Sequence, residues 1–198
     1  MDIEKKDFKK IIIDSGLKVF LKYGYTKTTM DDIAEQCKKS KASLYNYIKN
    51  KEELFREVVE MRLQTLHKDI YESTNQSSNL TDALCRFIEV WYNFYFDGKD
   101  DFNKIISDRC EHFHIIKDIL SDNFKFLTVS LKKLLLNYKN EREFTEPEAE
   151  KTAKMIIRLF YSMINPVCID IFSVNEDLNI KEYVNLIIKG IKSTDIGD

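Results

Sequence analysis

Residues that interrupt regular helices are scarce along this chain. Only 2 prolines and 5 glycines occur among its 198 residues, and lysine, glutamate, leucine and isoleucine are abundant. Proline and glycine mark the frequent turns of strand-rich proteins, so their scarcity favours long helices. The sequence therefore predicts an all-α protein. Its length and its 43% hydrophobic content are enough to form two small helical domains.

Hydrophobic spacing and capping residues predict about nine helices. Gly24 stands where a left-handed C-cap would end the first, Thr29 and Asp32 can form a capping box, and Ser40 and Asn50 suit N-caps. These signals predict helices over residues 5–23, 30–37, 41–48, 51–73, 80–96, 101–110, 115–139, 146–172 and 180–192. Pro166 is expected to kink or end the helix that contains it.

The second and third of these helices are short and separated by a turn of three or four residues, which predicts a helix-turn-helix. Ile33, Ala34 and Leu44 can pack between them. Polar groups then face outward from Lys41, Ser43, Tyr45, Asn46 and Tyr47. A short helix of this kind fits the major groove of DNA, with base edges near its first turn and phosphates around it.

The same stretch resembles the DNA-binding signature of the TetR (tetracycline-repressor-like) family. The similarity lies in TTMDDIA at residues 28–34 and SKASLYNYIKNKEEL at residues 40–54, with Gly24 and Tyr25 upstream. It covers about residues 20–55. The resemblance implies a DNA-binding domain over residues 1–50 and a ligand-sensing and dimerisation domain over residues 51–198.

The resemblance also implies roles for single residues. The start of the recognition helix commonly faces bases, and the threonines, tyrosines and lysine around it commonly contact phosphates. The predicted DNA-binding residues are Thr28, Thr29, Lys39, Ser40, Lys41, Ala42, Ser43, Tyr45, Asn46, Tyr47 and Lys51. Half-exposed tyrosines often cover the edge of a core and contact no ligand. For Tyr45 and Tyr47, such a packing role is therefore the alternative to a phosphate contact.

The turn departs from the family pattern. A small residue and an apolar one are usual there, whereas this chain has Lys38 and Lys39. A lysine with positive φ carries strain of about 1 kcal/mol. The two lysines either add phosphate contacts or are solvated surface side chains, and the sequence leaves both alternatives open.

Aromatic residues are concentrated in the second half of the chain. They predict either an ordinary helical core or a cavity for a lipophilic or aromatic effector of unknown identity. The predicted ligand-binding residues are Phe87, Trp91, Tyr92, Tyr95, Phe113, Phe124, Phe160 and Tyr161. Residues 1–55 hold 12 lysines against 9 acidic residues, and the remainder holds 19 basic against 24 acidic residues. This acidic balance favours a cationic guest held by cation–π contacts.

Other kinds of site have little support. The four cysteines form no CxxC pair, and Cys110 with His114, spaced to share a metal, has no second CxxC or HxxxH motif to support it. With three histidines and no nucleophile elbow, phosphate-binding glycine loop or HExxH motif, we expect no enzyme, metal or cofactor. No apolar run approaches the roughly 20 residues of a membrane span, so we expect a cytoplasmic protein with no membrane partner.

The last two long helices carry broad apolar faces. In the family that the chain resembles, these helices pair with their symmetry mates, which implies a homodimer on a palindromic double-stranded DNA operator. We expect a repressor that an effector releases from DNA. An activator, a regulator controlled by a partner protein, and a helical ligand-binding protein with a vestigial DNA head are the alternatives.

Overall fold

A computed structural model of the chain describes residues 2–96, 109–138, 144–163 and 180–192. Every regular element in these ranges is a helix, as predicted. The eight helices are α1 (Asp2–Lys27), α2 (Met30–Cys37), α3 (Lys41–Tyr45), α4 (Lys51–Thr74), α5 (Leu80–Phe96), α6 (Arg109–Asn137), α7 (Glu146–Met163) and α8 (Ile180–Lys192). Most of the predicted helix over residues 101–110, and Pro166, lie outside the described residues. Of the described helices, none has the length and apolar character that a membrane crossing requires.

The chain divides into two compact units. The first comprises Met1–Thr65 and Phe96–Ser121, and the second comprises Leu66–Tyr95 and Asp122–Asp198. The three divisions fall inside α4, before the last residue of α5 and inside α6, so each of these helices contributes residues to both units. The functional boundary at residue 50 stays a prediction.

Aromatic side chains form the core of the first unit. The Phe55 ring lies 5.3 Å from the Phe20 ring and 4.7 Å from the Tyr25 ring, centroid to centroid. Gly16 lets α1 approach α4 closely, because a Cβ at this position would lie 3.0 Å from a methyl group of Leu54. Burial of these large apolar surfaces is the main term that stabilises the unit.

Gly24 interrupts α1 as the sequence predicts. Its φ of 75° and ψ of 168° are not helical, although the helix assignment continues to Lys27. Glycine adopts positive φ without steric cost. The interruption turns the chain toward α2, and the Thr28 hydroxyl donates a hydrogen bond of 2.7 Å to the Gly24 carbonyl.

The caps that the sequence predicts are present. Thr29 and Asp32 form a capping box at α2, and Asn50 Oδ1 accepts from the Glu53 amide at 2.8 Å. At the start of α5, Asn79 Oδ1 accepts from the Asp82 amide at 2.8 Å, which is a cap that was not predicted from the sequence. Each satisfies an amide that a helix start would otherwise leave without a partner.

α2 ends in a Schellman motif. The Lys39 amide donates to the Ala34 carbonyl at 3.0 Å and the Lys38 amide donates to the Glu35 carbonyl at 2.9 Å. This pattern requires a left-handed residue, and Lys38 supplies it with φ of 54° and ψ of 42°. The predicted strain at a turn lysine therefore falls on Lys38, whose side chain is exposed.

Arg56 joins α4 to α6 within the first unit. Its guanidinium donates to Asp118 at 2.7 and 3.0 Å, and it also donates to the Ile115 carbonyl. A forked guanidinium that holds a carboxylate through two bonds is a charge-assisted arrangement with fixed geometry. The Arg56 hydrogen bond lowers the pKa of Asp118 from 3.8 to about 2.

In the second unit, the end of α4 and the helices α5, α6, α7 and α8 supply the buried side chains. Trp91 and Tyr95 of α5 and Phe160 of α7 are each at most 3% exposed. The Trp91 ring lies 6.1 Å from the Phe160 ring and 5.3 Å from the Tyr161 ring. Thr145 and Glu148 form a further capping interaction at the start of α7, with a hydrogen bond of 2.8 Å from the Thr145 amide.

We predict that Lys38→Gly stabilises the protein by about 0.5 to 1 kcal/mol, because glycine removes the strain of a left-handed lysine. Thermal unfolding followed by circular dichroism measures the change. Lys39→Gly is the matched control. Its backbone has no positive φ, so the added chain freedom in the unfolded state should lower stability. A lower melting temperature for Lys38→Gly would refute the assignment of strain to this residue.

We also predict that the Asp118 carboxyl titrates near pH 2. Because folding lowers this pKa, the stabilisation from the Arg56 pair is complete above the unfolded pKa of 3.8 and is lost as pH falls through about 2. Carbon-13 NMR of the carboxyl group measures the titration. Arg56→Gln should raise the pKa toward 3.8, whereas Lys125→Gln, which removes the partner of Asp122 on the same helix, should leave it unchanged.

Candidate nucleic-acid interface

The recognition helix α3 is held by one cap and one buried side chain. Ser40 Oγ accepts a hydrogen bond of 3.2 Å from the Ser43 amide and lies 2.8 Å from the Ser43 hydroxyl. Leu44 is fully buried, as are Ile33 of α2 and Ile48 after the helix. The predicted packing between the two short helices is therefore present, and it determines which side of α3 faces outward.

The helix is shorter than predicted. It ends at Tyr45, whereas the hydrophobic pattern predicts helix through Ile48. The Leu44 carbonyl accepts from both the Tyr47 amide at 2.9 Å and the Ile48 amide at 3.0 Å, which tightens the chain into a turn. The turn buries Ile48 and brings the chain to Asn50, where α4 begins.

The outward surface of α3 carries most of the predicted base-facing groups. Lys41, Ala42, Tyr45 and Asn46 are exposed, and the Tyr45 side chain is 45% exposed. Tyr47 is half-buried, and its ring packs edge-on against the Phe8 ring at 4.8 Å. Tyr45 is therefore accessible to a ligand, while Tyr47 also covers the edge of the core.

The Lys41 ammonium is paired in the free protein. It donates to Asp31 Oδ2 at 2.7 Å, and this hydrogen bond raises the pKa of Lys41. Both side chains are well exposed, and water and salt screen such pairs, so they contribute little to stability. A phosphate or a base could therefore displace Asp31 at low cost.

The two threonines before α2 differ in accessibility. Thr28 is 1% exposed, and its hydroxyl bonds to the Gly24 carbonyl. Thr29 is exposed, although its hydroxyl also donates to Asp32 Oδ2 at 2.7 Å. The Thr29 hydrogen bonds lower the pKa of Asp32. Of the two predicted phosphate ligands, the structure places only the Thr29 side chain at the surface.

Lys51 has a structural role that the sequence alone does not indicate. Its ammonium donates to the carbonyls of Tyr25 and Thr28 at 2.9 Å each and to that of Thr26 at 3.4 Å. It also lies 4.4 Å from the centre of the Tyr25 ring. Burial lowers the pKa of Lys51. All three of its donors face carbonyls at the end of α1, so its predicted phosphate contact requires these bonds to rearrange.

Lys39 lies near the aromatic pair beside α3. Its ammonium is 5.8 Å from the centre of the Phe8 ring, and the side chain is exposed. This position is compatible with a phosphate contact and with a solvated lysine, so both alternatives remain for Lys38 and Lys39.

The described residues hold no group of three or more His, Cys, Asp or Glu side chains arranged for a metal ion. The side chain of Cys110 lies outside the described residues, and His114 is exposed. Cys37 and Cys85 are buried free thiols.

The aromatic residues predicted to bind an effector are distributed among several environments. Trp91, Tyr95 and Phe160 are buried in the core of the second unit, and Phe87 is buried but also lines a surface cleft. Tyr92, Phe124 and Tyr161 are partly exposed, and the Phe113 side chain lies outside the described residues. The Trp91 indole N–H is buried, with no acceptor among the described residues.

Sequence reasoning missed the polar contacts around these aromatics. His67 Nε2 and Asn123 Oδ1 lie 2.7 Å apart, and Asn123 Nδ2 donates to the Tyr161 hydroxyl at 3.3 Å. Desolvation lowers the pKa of His67. The partners are 56 and 38 positions apart in sequence, so helical periodicity carries no signal of the contacts.

Comparison with known families identifies the N-terminal segment. Residues 12–58 match the family described as bacterial regulatory proteins, tetR family. Over 87 residues the chain is 37% identical to the uncharacterized HTH-type transcriptional regulator YhgD of Bacillus subtilis, covering 42% of this chain and 46% of that protein. It is 35% identical over 86 residues to IcaR of Staphylococcus aureus, described as a negative transcriptional regulator of the biofilm operon icaADBC, covering 43% of this chain and 45% of IcaR. The chain thus spans less than half the length of the curated relatives it matches.

The fold extends the similarity beyond this segment. A crystal structure of a putative TetR-family regulator from Mesorhizobium loti superposes with a TM-score of 0.75 over 94% of this chain and 95% of the other, at 16% sequence identity. At this identity the likeness is one of fold. The signature at residues 28–54 lies within the matched segment, so residues 12–58 are similar to bacterial regulatory proteins of the tetR family, and the helical architecture resembles that of the Mesorhizobium loti structure.

Proposed function

We propose that this chain is a homodimeric repressor of transcription that binds a palindromic operator and leaves it when a small effector binds. The observation that carries the proposal is the outward surface of α3, where Lys41, Ala42 and Tyr45 are exposed on a helix anchored by the buried Leu44. A helix presented in this way can enter the major groove, and its first turn can meet base edges. The description of IcaR as a negative regulator supports repression over activation.

The charges around α3 support DNA as the partner. The exposed lysines at positions 38, 39, 41 and 49 surround the helix, and clustered cations release counterions from DNA phosphates on binding. The paired carboxylate of Asp31 lowers this attraction but yields to a phosphate at small cost. In this proposal, base contacts come from the residues at the start of α3, and phosphate contacts come from Thr29, Tyr45 and the turn lysines.

Exposed apolar side chains on the last two helices support a dimer. Met155 and Leu159 of α7 are 55% and 54% exposed, and they lie one helical turn apart. Leu186 of α8 is 66% exposed, and Tyr183, three positions earlier, is 42% exposed. Stripes of this kind mark interaction surfaces. A two-fold dimer through them would present α3 twice, as two half-sites about one helical turn of DNA apart require.

A buried donor supports an effector site in the second unit. The Trp91 indole N–H has no acceptor among the described residues. Buried polar groups are nearly always satisfied, so an unsatisfied donor marks a place where a water, an ion or a bound molecule can supply the acceptor. An effector bound in the second unit would favour the conformation that binds it. If that conformation spaces the two α3 helices wrongly, operator affinity falls.

We predict that Lys41→Ala weakens operator binding about tenfold, because a lysine at the start of a recognition helix contacts bases or phosphates. Asp31→Asn should strengthen binding, since it releases Lys41 and removes a negative charge beside the DNA. Fluorescence anisotropy with duplex DNA from upstream of the protein's own gene, at fixed salt, measures both. Lys68→Ala, an exposed lysine of α4 that pairs with Glu72, is the control and should leave affinity unchanged.

Double substitution gives a sharper result. Asp31→Asn should raise operator affinity in two ways, by releasing Lys41 and by removing a negative charge. In the Lys41→Ala background only the second effect remains, so Asp31→Asn should raise the affinity less than it does in the wild type. Equal effects of Asp31→Asn in both backgrounds would show that the pair does not control Lys41. If the wild-type protein does not bind duplex DNA at low salt, the proposed function as a whole is refuted.

We predict that Leu186→Glu dissociates the dimer, because it places a charge in an apolar interface. Sedimentation at micromolar concentration should give about twice the 23.5 kDa chain mass for the wild type and a single chain mass for the variant. Val129→Glu, at a residue of α6 that is 50% exposed, is the matched control and should remain dimeric. A wild-type monomer under these conditions contradicts the dimeric proposal.

A further inference from the structure

A cleft of about 420 Å³ opens in the second unit beside the end of α4 and the second half of α6. Its buried wall is apolar and consists of Ile70, Phe87 and Leu134, each at most 8% exposed. The volume lies in the range of small-molecule sites in proteins. Of the predicted effector residues that the structure describes, Phe87 lines the cleft, and its ring lies 6.5 Å from the Trp91 ring of the aromatic core.

Aromatic side chains form the outer part of the cleft. Tyr71 is 67% exposed and Phe126 is 36% exposed. The His67 ring stacks on the Phe126 ring at 3.6 Å, with 18° between their planes. These rings offer flat apolar surfaces to a guest, and exposed aromatics of this size are typical of binding sites.

The charge of the residues that line the cleft indicates which class of ligand it can bind. Among the described residues that line the cleft there is no aspartate or glutamate, and Lys133 is the one of them with a formal charge at neutral pH. Desolvation lowers the pKa of His67, so its imidazole is neutral there. The remaining polar groups of the lining are hydroxyls and the amides of Asn75 and Asn137, which can donate hydrogen bonds.

Lys133 differs from the neighbouring lysines of α6. Lys125 pairs with Asp122 at 2.8 Å, and Lys132 pairs with Glu146 at 2.5 Å. Lys133 makes no ion pair in the part of the chain that the structure describes, and the residues three and four positions away on α6 carry no carboxylate. Its ammonium is therefore available to an anionic group bound in the cleft.

We propose that this cleft binds an amphipathic organic anion, with its flat apolar body between Phe126 and the buried wall and its acidic group at Lys133. The inference rests on the proposed regulator, because it specifies the chemical class of that regulator's effector. It also replaces the cationic guest that the overall acidic balance favours. A carboxylate or sulfonate meets a cation and amide donors in the cleft, whereas a cation would meet no carboxylate from the described lining residues.

Fluorescence titration of the full-length protein with 8-anilinonaphthalene-1-sulfonate, without DNA, tests the inference. Lys133→Gln should weaken binding about threefold, because it removes the exposed ion pair between the ammonium and the sulfonate. Lys133→Glu should weaken binding about tenfold, because its carboxylate also repels the sulfonate. Tyr71→Ala should also weaken binding, and because the Tyr71 side chain is 67% exposed, the change removes little core packing. Circular dichroism checks the fold of each variant.

Lys125→Glu is the matched control, because it makes the same charge change on the same helix outside the cleft. It should leave the affinity for the sulfonate unchanged, and the uncharged dye Nile red should not distinguish Lys133→Glu from wild type. Unchanged sulfonate affinity in Lys133→Glu, or an equal loss in Lys125→Glu, would overturn the inference. Operator binding is measured separately, so failure of the cleft proposal leaves the DNA-binding proposal standing. Failure of operator binding would leave the ligand class of the cleft standing and would remove the ligand's role as effector.

Discussion

The candidate interface depends on holding in place a helix that is too short to persist alone. Isolated helices below about 12 residues are marginal in water, and α3 has only five residues. Burial of Leu44, the Ser40 cap and the turn that buries Ile48 stabilise it from the core side. The same burial leaves Lys41 and Tyr45 on the opposite side. The packing that anchors α3 therefore also determines which of its side chains are exposed.

The cations near α3 serve two different purposes. Lys51 gives its donors to the carbonyls that end α1, and so stabilises the chain where Gly24 interrupts the helix. Lys41 meets only the exposed carboxylate of Asp31, and Lys38 accepts a strained backbone conformation while its side chain stays exposed. Residue type alone does not separate a lysine that supports the fold from one that is available to DNA. The groups that each ammonium contacts in the structure distinguish these two kinds of lysine.

The second unit divides its aromatic residues between packing and surface. Trp91, Tyr95 and Phe160 are in the core, whereas Tyr71 and Phe126 are exposed around a cleft. Charge patterning over the whole segment favours a cationic guest, but a ligand responds to the charges that line its site. Those charges depend on which lysines already have partners, and Lys133 lacks one among the described residues. The net charge of the whole segment therefore does not predict the charge of the ligand that one cleft binds.

Local signals determined much of this protein from its sequence: the all-helical class, the caps at Thr29, Ser40 and Asn50, the break at Gly24 and the strained position in the turn. Each depends on residues within about four positions, where side chain and backbone meet whatever the rest of the chain does. Tertiary structure alone decided the early end of α3 at Tyr45, the burial of Thr28, the carbonyl contacts of Lys51 and the His67–Asn123 pair. These depend on packing between helices, and neither propensity nor periodicity specifies which side chains from distant segments will meet there.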